Sequence, residues 1–312
     1  MFKAPRTDLW TVGVVPERLD RLSPERLQAL RDQVIWLPEA GPWRYYADPF
    51  ALRRGDTLHV FVEAFDYRTR PGHLERLDLH LPSLQWSAAR CVLRQPFHLS
   101  YPQVFDWDGA TWMVPESRQA NQIALYQADA TLDTWTRVAV LLDDVPAVDA
   151  SLIFHDGLWW MFYALVGAKH RDRNELHAAF APQLQGPWTT HPGNPIFTDR
   201  LRARPGGTPF VATDARVVLP IQDCSNSYGG AARRLAFDRL TPVEVRAQVL
   251  PGSFTGELAS NTYRDGLHTL SACGEFTLLD VKRIDRSRAR HWLDWQRRLR
   301  RLLPYTLNPR SP

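Results

Sequence analysis

The chain has 312 residues, 44% hydrophobic and 23% charged, a balance that implies a large buried core and excludes wholesale disorder. Three scattered cysteines, Cys91, Cys224 and Cys273, exclude a disulfide framework or a zinc site by spacing and read as buried free thiols. The net charge of +4 is unevenly placed: between Lys282 and Arg301 nine Lys and Arg stand against two Asp, so the rest of the chain is mildly acidic and no nucleic acid is expected across the body.

In chain order, the N-terminal stretch MFKAPRTDLWTVGVV lacks the apolar run and small-residue cleavage site of a secretory leader, so a cytoplasmic location is expected. Trp10–Val15 is a predicted strand, followed by a short helix opened by Ser23-Pro24, with Leu27, Leu30 and Val34 on one face. Five segments of shared pattern follow, each with an apolar run, a tight turn and a second apolar run. They begin at Asp48, Tyr101, Asp149, Thr208 and Ser260, with turns expected at Arg54-Gly55, Asp108-Gly109, Asp156-Gly157, Asp214-Ala215 and Asp265-Gly266. Asp-Gly supplies the positive φ that a two-residue hairpin needs.

Turns recurring at a period near fifty residues, with further strands such as Ile123–Gln127 and Leu176–Ala181 between them, match one four-stranded blade per unit. A β-sandwich would space its turns every 8–12 residues or so. The expected fold is therefore all-β, a five-bladed β-propeller over residues 41–282. Residues 1–40 carry the early strand and helix that close the ring, and 283–312 form a basic tail. Pairing the early strand into the last blade would remove an exposed sheet edge. In the tail Trp292, Trp295, Leu299 and Leu302 fall at helical spacing among arginines, which predicts a basic amphipathic helix over 288–303. That helix either docks on the propeller or lies on an anionic membrane surface, which would be the inner one.

The innermost strand of each blade lines a central channel, so polar residues at equivalent positions converge on one mouth. Asp48, Tyr101, Asp149 and Arg204 occupy the starts of first strands, and Glu63, Glu116 and Asp223 the ends of second strands. Two carboxyl groups in different environments are what cleavage of a glycosidic bond uses as acid and base. Trp43, Tyr45, Tyr46 and Tyr101 offer flat faces for sugar rings. Each residue also has a plain structural reading: Asp48 and Asp149 as turn caps, Glu116 in a salt bridge with Arg204 or Arg118, His98 and Ser100 satisfying backbone between blades. No His-x-x-x-His or paired Cys spacing is present, so no metal is assigned; carboxylates alone would favour Ca²⁺ on the channel axis.

The blade starts ADPF at Ala47 and VDASLIF at Val148 resemble the five-bladed propellers of glycoside hydrolase family 43. More extended stretches resemble the N-terminal domain of glucosamine inositolphosphorylceramide transferase, which also occurs in bacterial proteins. They are HLSYPQVFDWDGATWMVPES from His98, NELH from Asn174, ARPGG from Ala203 and QDCSNSYG from Gln222. Resemblance to the hydrolases implies inverting hydrolysis with a base Asp, a second Asp that tunes pKa, and a later acid Glu. Asp48 and Asp149 match the first two. Where the acid is expected stands Arg204, which leaves Glu116 as the replacement acid. Arg204 itself would suit a carboxylate- or phosphate-bearing ligand. His98, Asn174 and Trp43 complete the set of expected substrate contacts. The function so implied is action on a glycosidic linkage of an envelope polysaccharide or glycolipid, or glycan recognition without catalysis; a pure protein scaffold has no use for these charges.

Overall fold

The computed structural model describes residues 7–166, 174–293 and 295. Its strands form five antiparallel sheets arranged as a five-bladed β-propeller. Blade 1 runs outward through Arg44–Arg54, Thr57–Asp66 and His73–His80, and blade 2 through Ser100–Trp107, Ala110–Glu116, Gln122–Ala128 and Trp135–Asp143. Blade 3 is built on Ala147–His155, Leu158–Val166 and Asn174–Ala181, and blade 4 on Phe210–Val211, Val217–Asp223, Ala231–Leu240 and Val245–Val249. Blade 5 takes Gly266–Cys273 and Phe276–Asp285 from the C-terminal side, then Thr7–Val15 and Ile35–Trp36 from the N-terminal side.

Closure follows the expectation. Thr7–Val15 pairs antiparallel with Phe276–Asp285 from Thr7 against Asp285 to Val15 against Thr277. The edge of Phe276–Asp285 that an open ring would expose is thereby covered by a paired strand. The short helix Pro24–Ala29 starts on Ser23, whose side chain accepts from the Arg26 N–H, and buries Leu27 in a core shared with Leu19, Leu22, Phe254 and Leu267.

Between blades the core is aromatic and aliphatic. Phe50 and Phe61 of blade 1 meet Tyr101, Met113 and Trp135 of blade 2, and Trp112 of blade 2 meets Trp159 and Tyr163 of blade 3. Burial of each such side chain is worth roughly 1.5–3 kcal/mol. Cys224 and Cys273 are buried, as expected, whereas Cys91 is exposed on the outer strand Arg90–Leu93, which presents its side chains to solvent at that position.

The hairpin turns at Asp108-Gly109 and Asp156-Gly157 have φ of 51° and 73°, and 48° and 77°, the two positive values that Asp-Gly favours. Two turns differ from expectation: the first lies one residue on, at Gly55-Asp56 between the paired Arg54 and Thr57, and the fifth is displaced further. It falls at Gly274-Glu275, between Cys273 and Phe276, while Asp265-Gly266 leads into the inner strand. Gly274, at φ 58°, supplies the positive φ there. The apolar run after Gly266 is thus the first strand of its hairpin and not the second. The predicted basic tail helix lies largely outside the described residues; residues 289–293 are helical, and Trp292 and Trp295 stack at 4.9 Å.

Candidate functional site

One backbone device builds the site. In blade 1 Ala47 pairs with Glu63 and Phe50 with Phe61, so Asp48 and Pro49 together face Val62. The same two-against-one bulge sets Tyr101-Pro102 against Pro115, Asp149-Ala150 against Tyr163, and His268-Thr269 against Asp280. Asp48, Tyr101 and Asp149 sit at φ of 51°, 49° and 55°, a region that side chains other than glycine's seldom adopt. Bulges re-aim side chains beside active sites, and the strain is carried by the packed blades around them. Blade 4 solves the position with Gly206-Gly207. A Cβ on Gly207 would meet the Leu270 carbonyl oxygen at 1.8 Å, so only glycine lets this segment lie against blade 5. That close approach delivers Arg204 to the channel.

The carboxyl groups are tightly interlocked. Asp149, 1% exposed, accepts from Arg204 Nε at 2.5 Å and from Gln222 Nε2 at 2.8 Å. Glu116 lies beside Asp149. Neighbouring carboxyl groups disfavour one another's charge. Burial, and then the Asp149 carboxylate, push the pKa of Glu116 well above the usual range, with Arg204 opposing. Burial also raises Asp48, to about 7, with Asp149 and Asp280 adding to the rise and His268 resisting it. Glu63 is pushed well up by burial and by the neighbouring Asp48 and Glu116 carboxyl groups. Its neighbour is His98 Nε2 at 3.4 Å; burial, and then Arg70, lower the pKa of that imidazole.

On the blade 5 side His268, 2% exposed, stacks on Trp10 at 3.9 Å. Asp280 accepts the backbone N–H groups of Asp48 at 2.8 Å, His268 at 3.1 Å and Thr269 at 2.9 Å, together with His268 Nδ1 at 2.7 Å. Asp48 Oδ1 accepts from Thr269 Oγ1 at 3.1 Å and lies 3.6 Å from His268 Nε2. Asp48, His268 and Asp280 offer one ligand atom each within 4.8 Å of one another. They do not fit Ca²⁺, which takes six to eight oxygens or so, because the Asp280 oxygens are already spent on four N–H donors. Asp280 is hydrogen-bonded to His268 and to the Asp48 backbone, while the Asp48 carboxylate stands 3.6 Å from His268 Nε2 and bonds Thr269 instead.

The walls are aromatic. Tyr228 is 39% exposed with the Arg204 guanidinium 5.1 Å over its ring. Tyr45 stacks on Phe65 at 5.1 Å, and Phe65 lies 6.0 Å from the His98 ring. A cleft of about 390 Å³ opens beside Glu116, lined by His98, Arg118, Gln119 and Pro146.

Asp48, Glu63, His98, Glu116, Asp149 and Arg204 are thus brought together. Tyr101 is not part of the mouth. Fully buried, its hydroxyl joins Ser151 Oγ at 2.8 Å and donates to the Gly207 carbonyl at 3.1 Å, tying three blades together. Asp223 is committed locally, to Arg233 Nε at 2.9 Å and to Ser225; burial alone would raise its pKa, but those hydrogen bonds hold it below the ordinary range. Tyr46 is also buried and donates to Glu75. Trp43 lines a separate cleft with Pro38, Arg44 and Tyr263. Asn174 starts a strand, opposite Asp199. Arg204 makes its ion pair with Asp149; neither Glu116 nor a ligand is needed to account for its burial. His268, Asp280, Gln222 and Tyr228 were not foreseen. Asp280 and Lys282, charged residues inside the apolar strand FTLLDVKRID, were the available signal.

Residues 38–266 match the family described as glucosamine inositolphosphorylceramide transferase 1, N-terminal. The chain is 34% identical over 208 residues to glucosamine inositolphosphorylceramide transferase 1 of Oryza sativa subsp. indica, covering 66% of this chain and 28% of that protein. It is 28% identical over 270 residues to the Arabidopsis thaliana protein of the same name, covering 78% and 34%. It therefore spans about a third of these relatives. Among solved structures, the fold is similar to the α-L-arabinofuranosidase of Podospora anserina in complex with cellotriose, with TM-score 0.56, 11% identity, and 80% and 93% of the two chains covered. A glycosyl hydrolase from Bacteroides ovatus is similar with TM-score 0.55 and 12% identity, covering 77% and 85%.

Proposed function

Since the chain belongs to the N-terminal family of glucosamine inositolphosphorylceramide transferase 1, we propose that its channel mouth takes a carbohydrate or glycolipid and acts on a glycosidic linkage, by hydrolysis or by glycosyl transfer. The observation that carries this reading is the cluster of Glu116, Asp149 and Asp48 about Arg204: one carboxyl group pushed well above the usual range beside one locked to a guanidinium, with a third raised to about 7. Acid–base pairs of this kind are made by environments that push two carboxyl groups apart. In this reading Glu116 donates a proton to the leaving oxygen, Asp48 activates the incoming hydroxyl, and Asp149 orients Glu116. Tyr228, Tyr45 and Phe65 supply faces for the sugar.

Hydrolysis and transfer separate in one experiment. The purified chain is incubated with envelope oligosaccharides and with an inositol-phosphate glycolipid, with and without nucleotide-sugar donors, and products are followed by mass spectrometry. New reducing ends without donor identify hydrolysis, and a donor-dependent mass increment identifies transfer. Binding with neither product supports the second reading, a glycan-recognition module. That reading draws on Arg204, which stands where the related hydrolases are expected to carry their acid.

The basic segment 288–303 is proposed to meet an anionic membrane surface on the cytoplasmic side. Trp292 and Trp295, 58% and 51% exposed, support this reading.

A further inference from the structure

We propose that His268 is a positioning residue for Asp48, its Nε2–H set toward the Asp48 carboxylate as an ion-pair partner while Asp280 holds Nδ1. This rests on the reading of Asp48 as a group that must be ionised to work. Three observations carry it. Asp280 is an acceptor for three backbone N–H groups, two of them from the bulge residues His268 and Thr269 and one from Asp48 itself, so its remaining contact with His268 requires the hydrogen on Nδ1. Trp10, stacked at 3.9 Å and 17°, fixes the ring plane. With Nδ1 and the plane fixed, Nε2 has one carboxylate before it, Asp48 Oδ1 at 3.6 Å.

The charged groups around the ring are Asp280 on its own blade, Asp48 from blade 1, Arg204 from the blade 4 segment, and Lys282, whose ammonium lies 5.2 Å from the Trp10 ring. Tyr228 presents an edge at 5.6 Å. Burial favours the neutral imidazole, but Asp280 and then Asp48 outweigh it and raise the pKa of His268, against Arg204. The imidazolium in turn is the larger of two influences, Arg204 being the other, that draw Asp48 toward ionisation against burial and its acidic neighbours. A glutamine in place of His268 would leave Asp48 protonated to higher pH.

The test is a titration of ring nitrogens by ¹⁵N-histidine NMR on the full chain between pH 5 and 9. His268→Gln assigns the signal among ten histidines; Asp48→Asn and Asp280→Asn are the perturbing variants. Both His268 nitrogens should carry hydrogen at pH 7 in the wild type, and the midpoint should fall by about one unit or more in each variant, the scale set by loss of a close opposite charge. If His268→Gln does not fold, the signal is assigned in the wild type from the contacts of the His268 ring protons with the Trp10 ring, stacked on it at 3.9 Å. A neutral, single-tautomer His268 at pH 7, or a midpoint that ignores Asp48→Asn, overturns the proposal. Because the spectrum reads the proton directly, an absence of glycosidic turnover counts against the function and leaves this result standing. Where turnover is found, the acid limb of kcat/KM should move to higher pH in His268→Gln with KM held.

Discussion

Arg204 donates from Nε to Asp149 at 2.5 Å across 55 residues of sequence, and both side chains are withdrawn from solvent. The pair joins blade 4 to blade 3, and both of its members act on the pKa of Glu116. It bears on stability, and its cation opposes the rise in the Glu116 pKa that Asp149 and burial cause.

Removing the cation should be costly. Arg204→Met leaves the Asp149 carboxylate without its charged partner in a dry site, and such half-broken buried pairs lose about 3–5 kcal/mol. Urea denaturation should show that loss, while Arg204→Lys, which keeps the charge but not the planar fork, should fall between the two. An Arg204→Met protein as stable as the wild type would mean that water reaches Asp149.

The pH dependence of stability follows from Asp48. Its pKa in the folded state, about 7, lies above the ordinary 3.8, so the folded chain holds this proton more tightly than the unfolded chain does. Below pH 4 both states are protonated and the group is neutral in its effect. From there to pH 7 the unfolded state alone ionises, and stability falls by at most about 4 kcal/mol. Asp48→Asn removes this dependence. Its melting temperature should exceed that of the wild type at pH 8, and the gap should close toward pH 4.

Ala215 closes the blade 4 hairpin at φ 67°, where its neighbours in blades 2 and 3 use glycine. A Cβ in this region costs roughly 1–2 kcal/mol, partly offset by the extra chain entropy of glycine. Ala215→Gly should stabilise the protein by about 0.5–1 kcal/mol in urea titration. No gain would indicate that the Arg216 ion pairs with Asp214 and Asp238 relieve the turn by another route.

If the tail meets lipid, the chain should sediment with vesicles rich in phosphatidylserine and not with neutral ones, and should be released by 0.5 M salt or so, at which surface charge is screened. Trp292→Ala with Trp295→Ala should weaken that binding at least several-fold. Equal binding to neutral vesicles, or none to either, contradicts the membrane reading.

Much of this architecture was readable from Asp-Gly dipeptides, because they impose a backbone geometry that few other sequences satisfy. Blades 2 and 3 follow directly from Asp108-Gly109 and Asp156-Gly157. The same dipeptide misled at Asp265-Gly266, where the glycine is required by a close approach and not by a turn: a Cβ there would meet the Gly229 carbonyl oxygen at 2.1 Å. That single shift of register concealed His268. With the turn at Gly274, His268-Thr269 aligns with Asp48-Pro49 and Asp149-Ala150, and the fifth contribution to the mouth becomes visible. Tyr101 shows the other limit. It occupies the same bulge as Asp48 and Asp149, yet its ring is long and apolar enough to be drawn into the interblade core, a choice that depends on tertiary packing. Asp223 similarly finds Ser225 and Arg233 nearby, partners that sequence spacing alone does not reveal.

In the proposed function Glu116 and Asp48 perform chemistry on a bound glycan. The most direct measurement takes the glycan that binds the wild type most tightly and follows its turnover and its affinity in parallel for Glu116→Gln and Asp48→Asn. Loss of turnover by about 10²–10⁴-fold in each, with affinity nearly unchanged, is the expected result for an acid and a base. Undiminished turnover in either variant, or tight binding with no product under hydrolytic or donor-supplied conditions, would contradict it.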